Sequence, residues 1–284
     1  MVESLLLVDP DWPSALVLRA SLHAAQGERV SALACYRRLV RLFPDDPTAA
    51  YFLRSLGGAD FSAPWRGEIV ELFDRYAARF DDHLRDTLEY RGPELLAEAL
   101  DSVVAPPAAV AVDLGCGTGL GGPMLEARSE RLIGVDLSAE MVERARQKAI
   151  YDELFVADLV HALLTSDDAS VDLLVAADVL GYLGDLEAVF RQARRVLREG
   201  ARFAFSVECA ERVDRFALSS RRRCAYNPDY LLTLGASVGF SLGACRSAVL
   251  RREEGEAVEG LVVVFVSPDE ALATRAPRGG AGGQ

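Results

Sequence analysis

The sequence predicts an α/β fold: an open, doubly wound sheet of mostly parallel strands, with a small all-α segment in front of it. Three observations carry this. Apolar runs of strand length meet an aspartate at a regular pitch: Val110–Leu114 around Asp113, Arg131–Val135 before Asp136, Leu154–Ala157 before Asp158, and Val171–Ala177 before Asp178, about 20 to 23 residues apart with helix-like segments between. The first run enters a glycine-rich turn, Gly115-Cys116-Gly117-Thr118-Gly119. The N-terminal residues instead repeat at an offset of 34. Strand and helix in alternation build βαβ units, whose parallel strands present their carboxyl ends along one edge. The four aspartates should therefore converge on one crevice.

In chain order, the first segment is residues 1–58. Pro10, Asp11, Pro13, Ala15, Ser21 and Leu22 recur as Pro44, Asp45, Pro47, Ala49, Ser55 and Leu56. Ala20, Gly27, Ala32, Tyr36 and Pro44 resemble the small and aromatic positions of a tetratricopeptide repeat, in which two antiparallel helices pack around small residues. About one and a half units are present. Arrays of this kind need about three units to close a core. This fragment is therefore expected to pack on the rest of the chain, on a second copy or on a protein partner; the plain alternative is a structural cap.

Gly57-Gly58-Ala59-Asp60 breaks the helical pattern, and Pro64-Trp65 starts a linking segment, residues 59–105. Ile69, Phe73, Tyr76, Ala77 and Phe80 recur at helical spacing, followed by His83, Leu84, Leu88 and Tyr90 before Pro93 opens another helix. Residues 106–270 carry the α/β domain, and 271–284 read as a disordered tail. Within the domain, Gly184-Asp185-Leu186 starts a helix that Arg191–Arg198 closes and Gly200 ends. Phe203–Val207 then supplies a fifth strand with Glu208 at its edge. A helix near Asn227–Val238 follows, and two strands, Ser241–Leu250 and Gly260–Val266, are split by a charged turn at Arg251–Glu256.

Alternate glycines let the backbone turn tightly and bring a helix N-terminus to a ligand with no side chain between. Gly117, Gly119 and Gly122 also fit G-x-G-x-x-G, the pyrophosphate pattern of dinucleotide folds. Asp113 argues against that ligand: a carboxylate at the strand end repels phosphate and attracts a molecule bearing an ammonium and a sulfonium. S-adenosylmethionine carries both cations.

Asp113-Leu114-Gly115-Cys116-Gly117-Thr118-Gly119 resembles motif I of the class I methyltransferases. The segment Y-A-x-x-F-D-x-H-L at Tyr76–Leu84, followed by Tyr90-Arg91, is similar to the join in predicted methyltransferases that carry tetratricopeptide repeats. The resemblance implies a Rossmann-like, seven-stranded sheet ending in an antiparallel hairpin, with S-adenosylmethionine as cofactor. It further implies that Gly115, Cys116, Gly117, Thr118 and Gly119 contact the cofactor and that Asp136 accepts from the ribose hydroxyls. Asp158 would accept from the adenine amino group, with Leu137, Met141, Val156, Ala157 and Leu159 about the ring. Tyr76, on helices that close over the cofactor, would meet its carboxylate, and Asp178 with Val179–Leu183 would lie beneath the methyl group. Helix capping is the plain alternative for the aspartates; for Asp136 it competes with Ser138, which stands ready to cap the helix beginning at Ala139.

Composition limits the partners. Half of the 284 residues are hydrophobic, enough for a full core, and no apolar run reaches the roughly 18 residues of a membrane span. Met1–Asp9 lacks the basic start of a signal peptide, so a cytoplasmic protein is expected. Cys35, Cys116, Cys209, Cys224 and Cys245 make no C-x-x-C pair and no metal spacing with His23, His83 or His161, so no metal is expected. A net charge of -12 with Lys148 as the only lysine disfavours nucleic acid. The Arg221-Arg222-Arg223 cluster reads either as a solvated loop or as a contact for an anionic substrate group. After the fourth strand, Asp178-Val179-Leu180-Gly181 does not match the N-P-P-Y motif of methyltransferases acting on amino groups of bases.

A sulfonium methyl is already activated, so holding the nucleophile in line supplies roughly 7 to 11 kcal/mol, and a general base adds about 100- to 10,000-fold. The candidate catalytic groups are His83, Asp178, Glu208 and Tyr226. Members similar to this chain read R-Y-A-H-S where it has Arg223-Cys224-Ala225-Tyr226-Asn227, so a tyrosine stands in place of histidine. The expected function is methyl transfer to a small molecule or a protein side chain. The rival is a cofactor-binding scaffold whose repeat recruits a partner.

Overall fold

The computed structural model describes residues 6, 9–25, 28–43, 66–218 and 223–268. The second half of the 34-residue repeat, the Gly57–Asp60 break, Pro64-Trp65, Arg221, Arg222 and the 271–284 tail lie outside the described residues.

Helices α1 (Pro13–Ala25) and α2 (Arg29–Leu42) pack on each other. Arg38, late in α2, bonds Asp11 before α1 at 2.9 Å, and His23, late in α1, meets Glu28 before α2 at 2.7 Å, so the two run antiparallel. Ala20 and Ala32 are buried, as the repeat pattern requires, and Leu16, Tyr36 and Leu39 fill the seam. The same hydrophobic cluster continues into Val160 and Leu163 of the α/β domain. The fragment thus packs on the rest of the chain, one of the three expected modes. Leu16→Ala should therefore cost about 2 to 5 kcal/mol and lower the urea midpoint of the whole chain in one transition. A separate early transition would show that the repeat folds on its own.

Helix α3 (Arg66–Tyr76) leads into short helical turns at Ala77–Arg79, Phe80–Asp82 and His83–Thr87, then α4 (Gly92–Asp101). The domain follows in strict alternation: β1 (Ala108–Leu114), α5 (Gly122–Glu126), β2 (Ser129–Asp136), α6 (Ala139–Gln147), β3 (Glu153–Val156), α7 (Leu159–Thr165), β4 (Val171–Ala176), α8 (Glu187–Val196) and β5 (Leu197–Cys209). After these come β6 (Phe216–Leu218), β7 (Cys224–Tyr226), α9 (Pro228–Ser237), β8 (Ser241–Glu253) and β9 (Glu256–Val266). The sheet runs β3-β2-β1-β4-β5, all parallel, and β9 then pairs antiparallel with β5 and with β8. β1 and β4 are apolar because helices cover both faces of a parallel sheet. The strand order reverses between β1 and β4, and a ligand crevice opens at the carboxyl ends of strands at such a switch point. Asp113, Asp136, Asp158 and Asp178 all lie at that edge.

The structure corrects three expectations. There are nine strands rather than seven among the described residues, because β6 and β7 form a short flap whose last residues pair with Glu208 and Cys209 of β5. Both are three residues long, too short for periodicity to register. β5 starts at Leu197, and Gly200, with φ of 72°, lies within it rather than ending α8. The β8–β9 turn is Glu254-Gly255, with φ of 52° and 82°, the left-handed pair of a tight hairpin turn, so Arg251 belongs to the strand.

Candidate active site

The glycine turn is clipped to the end of β2, where the N–H groups of Gly115 and Cys116 both donate to Val135 O at 2.7 and 3.0 Å. Gly115, Gly117 and Gly119 have φ of 70°, 53° and 83°. A Cβ at Gly115 would strike Val179 at 2.4 Å, whereas one at Gly117 would meet only Phe80 Cε1, at 3.8 Å. Gly117 thus faces the gap between turn and overlying helix. The Cys116 side chain is buried and offers this gap backbone rather than side chain, whereas Thr118 turns its hydroxyl to Asp81 of the overlying turn. Burial pushes the Cys116 thiol well up.

Asp136 ends β2 with each oxygen aimed by a backbone donor, Gly117 N at 2.8 Å and Ser138 N at 2.9 Å. Burial raises its carboxyl above the ordinary range against the lowering effect of these bonds. Ser138 caps α6 by accepting from Met141 N, so Asp136 does not cap it. Asp158 does cap: its side chain accepts from Val160 N and His161 N at 3.0 and 3.1 Å. Met141 and Leu159 are buried core residues, so the apolar surface beside Asp136 comes from half-buried Leu137 and Ala157 and from Val156, which pairs with Asp136 across the sheet and is 55% exposed.

Asp113 is 2% exposed, and its Oδ2 accepts from the Tyr151 phenol at 2.7 Å. Tyr151 fits under the turn because Gly119, Gly122 and Gly134 lack side chains; a Cβ on any of them would come within about 3 Å of its ring, at 3.0, 3.1 and 2.9 Å. Burial pushes the Asp113 carboxyl up from 3.8 to about 6, with the Tyr151 bond acting the other way and Asp136 adding repulsion. Because the native carboxyl holds its proton where the unfolded one has lost it, this group favours folding fully below about pH 4, and that contribution fades as pH rises through about 6. A gap of two units is on the order of 3 kcal/mol. Asp113→Asn keeps an acceptor for Tyr151 and should raise the melting temperature at pH 7.5 but not at pH 4. An equal effect at both would contradict the charge as cause.

The helices after α3 close over the turn. Asp81 accepts from Thr118 Oγ1 and, at 2.6 Å, from Lys148 Nζ, while Ser138 Oγ donates to Asp74. Phe73 meets Tyr182 edge-on with ring centroids 5.6 Å apart. Tyr76 bonds His83 Nδ1, and burial raises its phenol. Tyr76 and His83, proposed above for different roles, thus form one pair on this cover.

Beneath lies a buried charge cluster. Asp178 has a left-handed backbone, φ 56°, held by its N–H on Ser206 Oγ at 2.9 Å and by Arg223 on its carbonyl. Its carboxylate accepts from Arg223 at 2.7 Å and Arg251 at 3.1 Å, so it is an ion-pair partner and not a cap. Arg251 also holds Glu208 and, at 2.6 Å, Glu253. A bulge between Val249 and Arg251 re-aims that side chain inward. The guanidinium of Arg223 lies 4.7 Å over the Tyr182 ring, and its Nε is buried without a hydrogen-bond acceptor. Chain 88–91 zips onto β8, with Arg91 N on Leu250 O and Arg252 N on Leu88 O, which brings Tyr90 to the cluster; burial raises its phenol well up, reinforced by Asp178.

Two of the proposed bases are engaged in this bonding. Tyr226 is fully buried and donates to Leu180 O at 2.8 Å, holding the loop after β4. Glu208, 4% exposed, is tied to Arg251, with Arg223 Nε 3.5 Å away. Sequence reasoning missed Tyr151, Arg251 and Tyr90. Only Tyr151 left a signal, since three glycines ring the position it fills.

Residues 112–205 match the methyltransferase domain family and residues 13–53 the tetratricopeptide repeat. The chain is 31% identical over 150 residues to malonyl-[acyl-carrier protein] O-methyltransferase of Methylovorus sp., covering 50% of each chain. It is 37% identical over 112 residues to trans-aconitate 2-methyltransferase of Azoarcus sp., covering 39% of this chain and 43% of that one. The chain spans about a third to a half of the length of the curated relatives it matches. Among solved structures, the N-methyltransferase NodS of Bradyrhizobium japonicum, in complex with S-adenosyl-L-homocysteine, shares the fold with a TM-score of 0.56 at 19% identity, covering 70% of this chain and 98% of that one. Among the described residues, no helix is long and apolar enough to cross a membrane, and no group of histidine, cysteine and acidic side chains could hold a metal.

Proposed function

Starting from a chain whose residues 112–205 match the methyltransferase domain family, we propose that it transfers a methyl group from S-adenosylmethionine to a small molecule or a protein-borne group. The observation that carries this reading is the Asp136 carboxylate, aimed by Gly117 N and Ser138 N beside the exposed Val156. An acceptor for two hydroxyls next to a bare apolar surface fits a nucleoside. The buried negative charge of Asp113 under the turn fits a cationic ligand and opposes a pyrophosphate. The names of the relatives, one acting on a carrier-protein-bound malonyl group and one on trans-aconitate, support both acceptor classes.

When bound, S-adenosylmethionine supplies an activated methyl group, so the chain's residues have to bind, orient and exclude water. Gly117 leaves room for close approach. The Asp81 bonds to Thr118 and Lys148 hold the cover down, and Phe80 and Phe73 close the gap to Tyr182. Tyr76, in its bond to His83, is the hydroxyl we assign to the methionine carboxylate. The expected result is micromolar binding of S-adenosylhomocysteine by calorimetry and transfer of labelled methyl from S-adenosylmethionine to an acceptor. No binding of either compound would end this reading.

A further inference from the structure

The cover carries one polar pair that takes no part in holding it down. Phe73, Tyr76, Phe80 and His83 are spaced three and four residues apart along a nearly continuous helical stretch, so they share one face of it. That face is turned to the site: Phe73 meets Tyr182 of the loop after β4, and Phe80 is what a Cβ at Gly117 would meet, at 3.8 Å. The rings form one row, with centroids 6.2 Å apart for Phe73 and Phe80, 5.3 Å for Phe80 and Tyr76, and 5.4 Å for Tyr76 and His83. His83 also opens the wide turn His83–Thr87, in which Leu88 N reaches back to His83 O at 3.0 Å. Single turns of this kind recur at functional sites. The Tyr76 hydroxyl and His83 Nδ1 are hydrogen bonded, and Nε2 has no partner among the described residues. The other candidate bases are engaged: Asp178 and Glu208 are bound to Arg223 and Arg251, and Tyr226 donates to Leu180 O.

Which nitrogen of His83 carries the proton follows from what the Tyr76 hydroxyl does. Burial raises that phenol, so it keeps its single O–H. If the O–H is given to His83 Nδ1, the ring proton lies on Nε2, which then has no lone pair to offer. If the O–H is given to a ligand carboxylate, Tyr76 can only accept from His83, the ring proton lies on Nδ1, and the Nε2 lone pair is free. We propose that cofactor binding makes this choice: with the methionine carboxylate on Tyr76, His83 becomes the general base that takes the acceptor's proton at Nε2. This rests on the methyl-transfer reading above and on Tyr76 as the carboxylate contact. In the step, the acceptor's lone pair forms the bond to the methyl carbon, the C–S electron pair stays on sulfur, and the acceptor's proton moves to Nε2. The positive charge lost from sulfur reappears on the imidazolium, where the Tyr76 oxygen accepts from Nδ1–H. The half-buried ring then returns the proton to water. The acceptor is thereby one whose nucleophilic atom carries a proton, and the base is set only in the cofactor-loaded protein.

The test uses the full chain with nitrogen-labelled histidine. It has only three histidines, His23, His83 and His161, so a long-range proton–nitrogen NMR spectrum reads the tautomer of each ring, and His83→Gln assigns the signals. Should that variant not fold, variants of the other two assign His83 by elimination. In the free protein the His83 proton should lie on Nε2. Saturating S-adenosylhomocysteine, which has the carboxylate but no methyl to transfer, should move it to Nδ1. Methylthioadenosine, the same nucleoside without the amino-acid end, should leave it on Nε2, and so should saturating S-adenosylhomocysteine on Tyr76→Phe. With methyl-labelled S-adenosylmethionine in heat-treated cell extract, His83→Gln should incorporate label at least about 100-fold more slowly than the wild type. A tautomer that S-adenosylhomocysteine leaves unchanged, the same change with methylthioadenosine or in Tyr76→Phe, or label transfer by His83→Gln at the wild-type rate overturns the proposal and leaves cofactor binding standing. Failure of the folded protein to bind S-adenosylhomocysteine overturns the methyl-transfer reading instead.

Discussion

Arg251→Met should destabilise the protein by about 3 to 5 kcal/mol, the range expected when one partner of a buried ion pair is removed. Arg251 is 2% exposed and binds three carboxylates, Asp178, Glu208 and Glu253, through its three guanidinium nitrogens. Methionine fills most of the stem's volume, so the cavity contribution is small and the loss reports the charge. Asp178 and Glu208 would then share Arg223 alone, in a place where water compensates little. Urea denaturation at pH 7 measures the loss. Unpaired buried acids take up protons more readily, so the variant's deficit should shrink as the pH is lowered toward 5. Adding Glu208→Gln to Arg251→Met should recover part of it at pH 7. A deficit below about 1 kcal/mol, independent of pH, would mean that the cluster is hydrated and its pairs are those of a surface.

This cluster also marks where the sequence stops being readable. The parallel strands are legible because a strand covered on both faces is apolar nearly throughout, and β1 and β4 each carry a single aspartate in an otherwise apolar run. The glycine turn and the aspartate edge are legible for a related reason: left-handed backbone at Gly115, Gly117 and Gly119 leaves few other residues possible. Ser138 is readable as a helix cap from its place before Ala139, which sets Asp136 apart from Asp158. Arg251 is not readable in this way. In the sequence it opens a charged run, Arg251-Arg252-Glu253-Glu254, that looks like a solvated turn, and only a bulge in β8 sends its first member inward. Arg223 is likewise the buried end of an arginine run. Periodicity reports which face a regular strand turns to the core, and a bulge breaks that link. Tyr90 reaches the cluster only because chain 88–91 pairs with β8, about 160 residues away in the sequence, a contact that no local pattern encodes. Asp178 falls between these cases. Its position at the end of the fourth apolar run is legible, but its left-handed backbone and its two arginines are tertiary facts. Such strain persists only where the surroundings over-determine it, as the Ser206 and Arg223 bonds do here.

Asp136→Ala should weaken S-adenosylhomocysteine binding by at least roughly 100-fold. Each carboxylate oxygen has two acceptor directions, and one on each oxygen is taken by a backbone N–H, Gly117 on Oδ2 and Ser138 on Oδ1. The remaining two can receive the two ribose hydroxyls, and hydrogen bonds to a charged acceptor are worth about 1.5 to 3 kcal/mol each. Two such bonds together exceed the threshold for a 100-fold loss. The alanine variant should not unfold, because the native site already raises this carboxyl through burial and so gains nothing in stability from its charge. Equilibrium melting of the ligand-free protein separates the two effects. Asp136→Asn should do nearly as badly as alanine, since both oxygens now accept from N–H groups and an amide must turn its NH2 toward one of them. If asparagine binds within threefold of the wild type, the ribose is held elsewhere. The nucleoside would then have to be sought along Leu137 and Ala157 rather than at the end of β2.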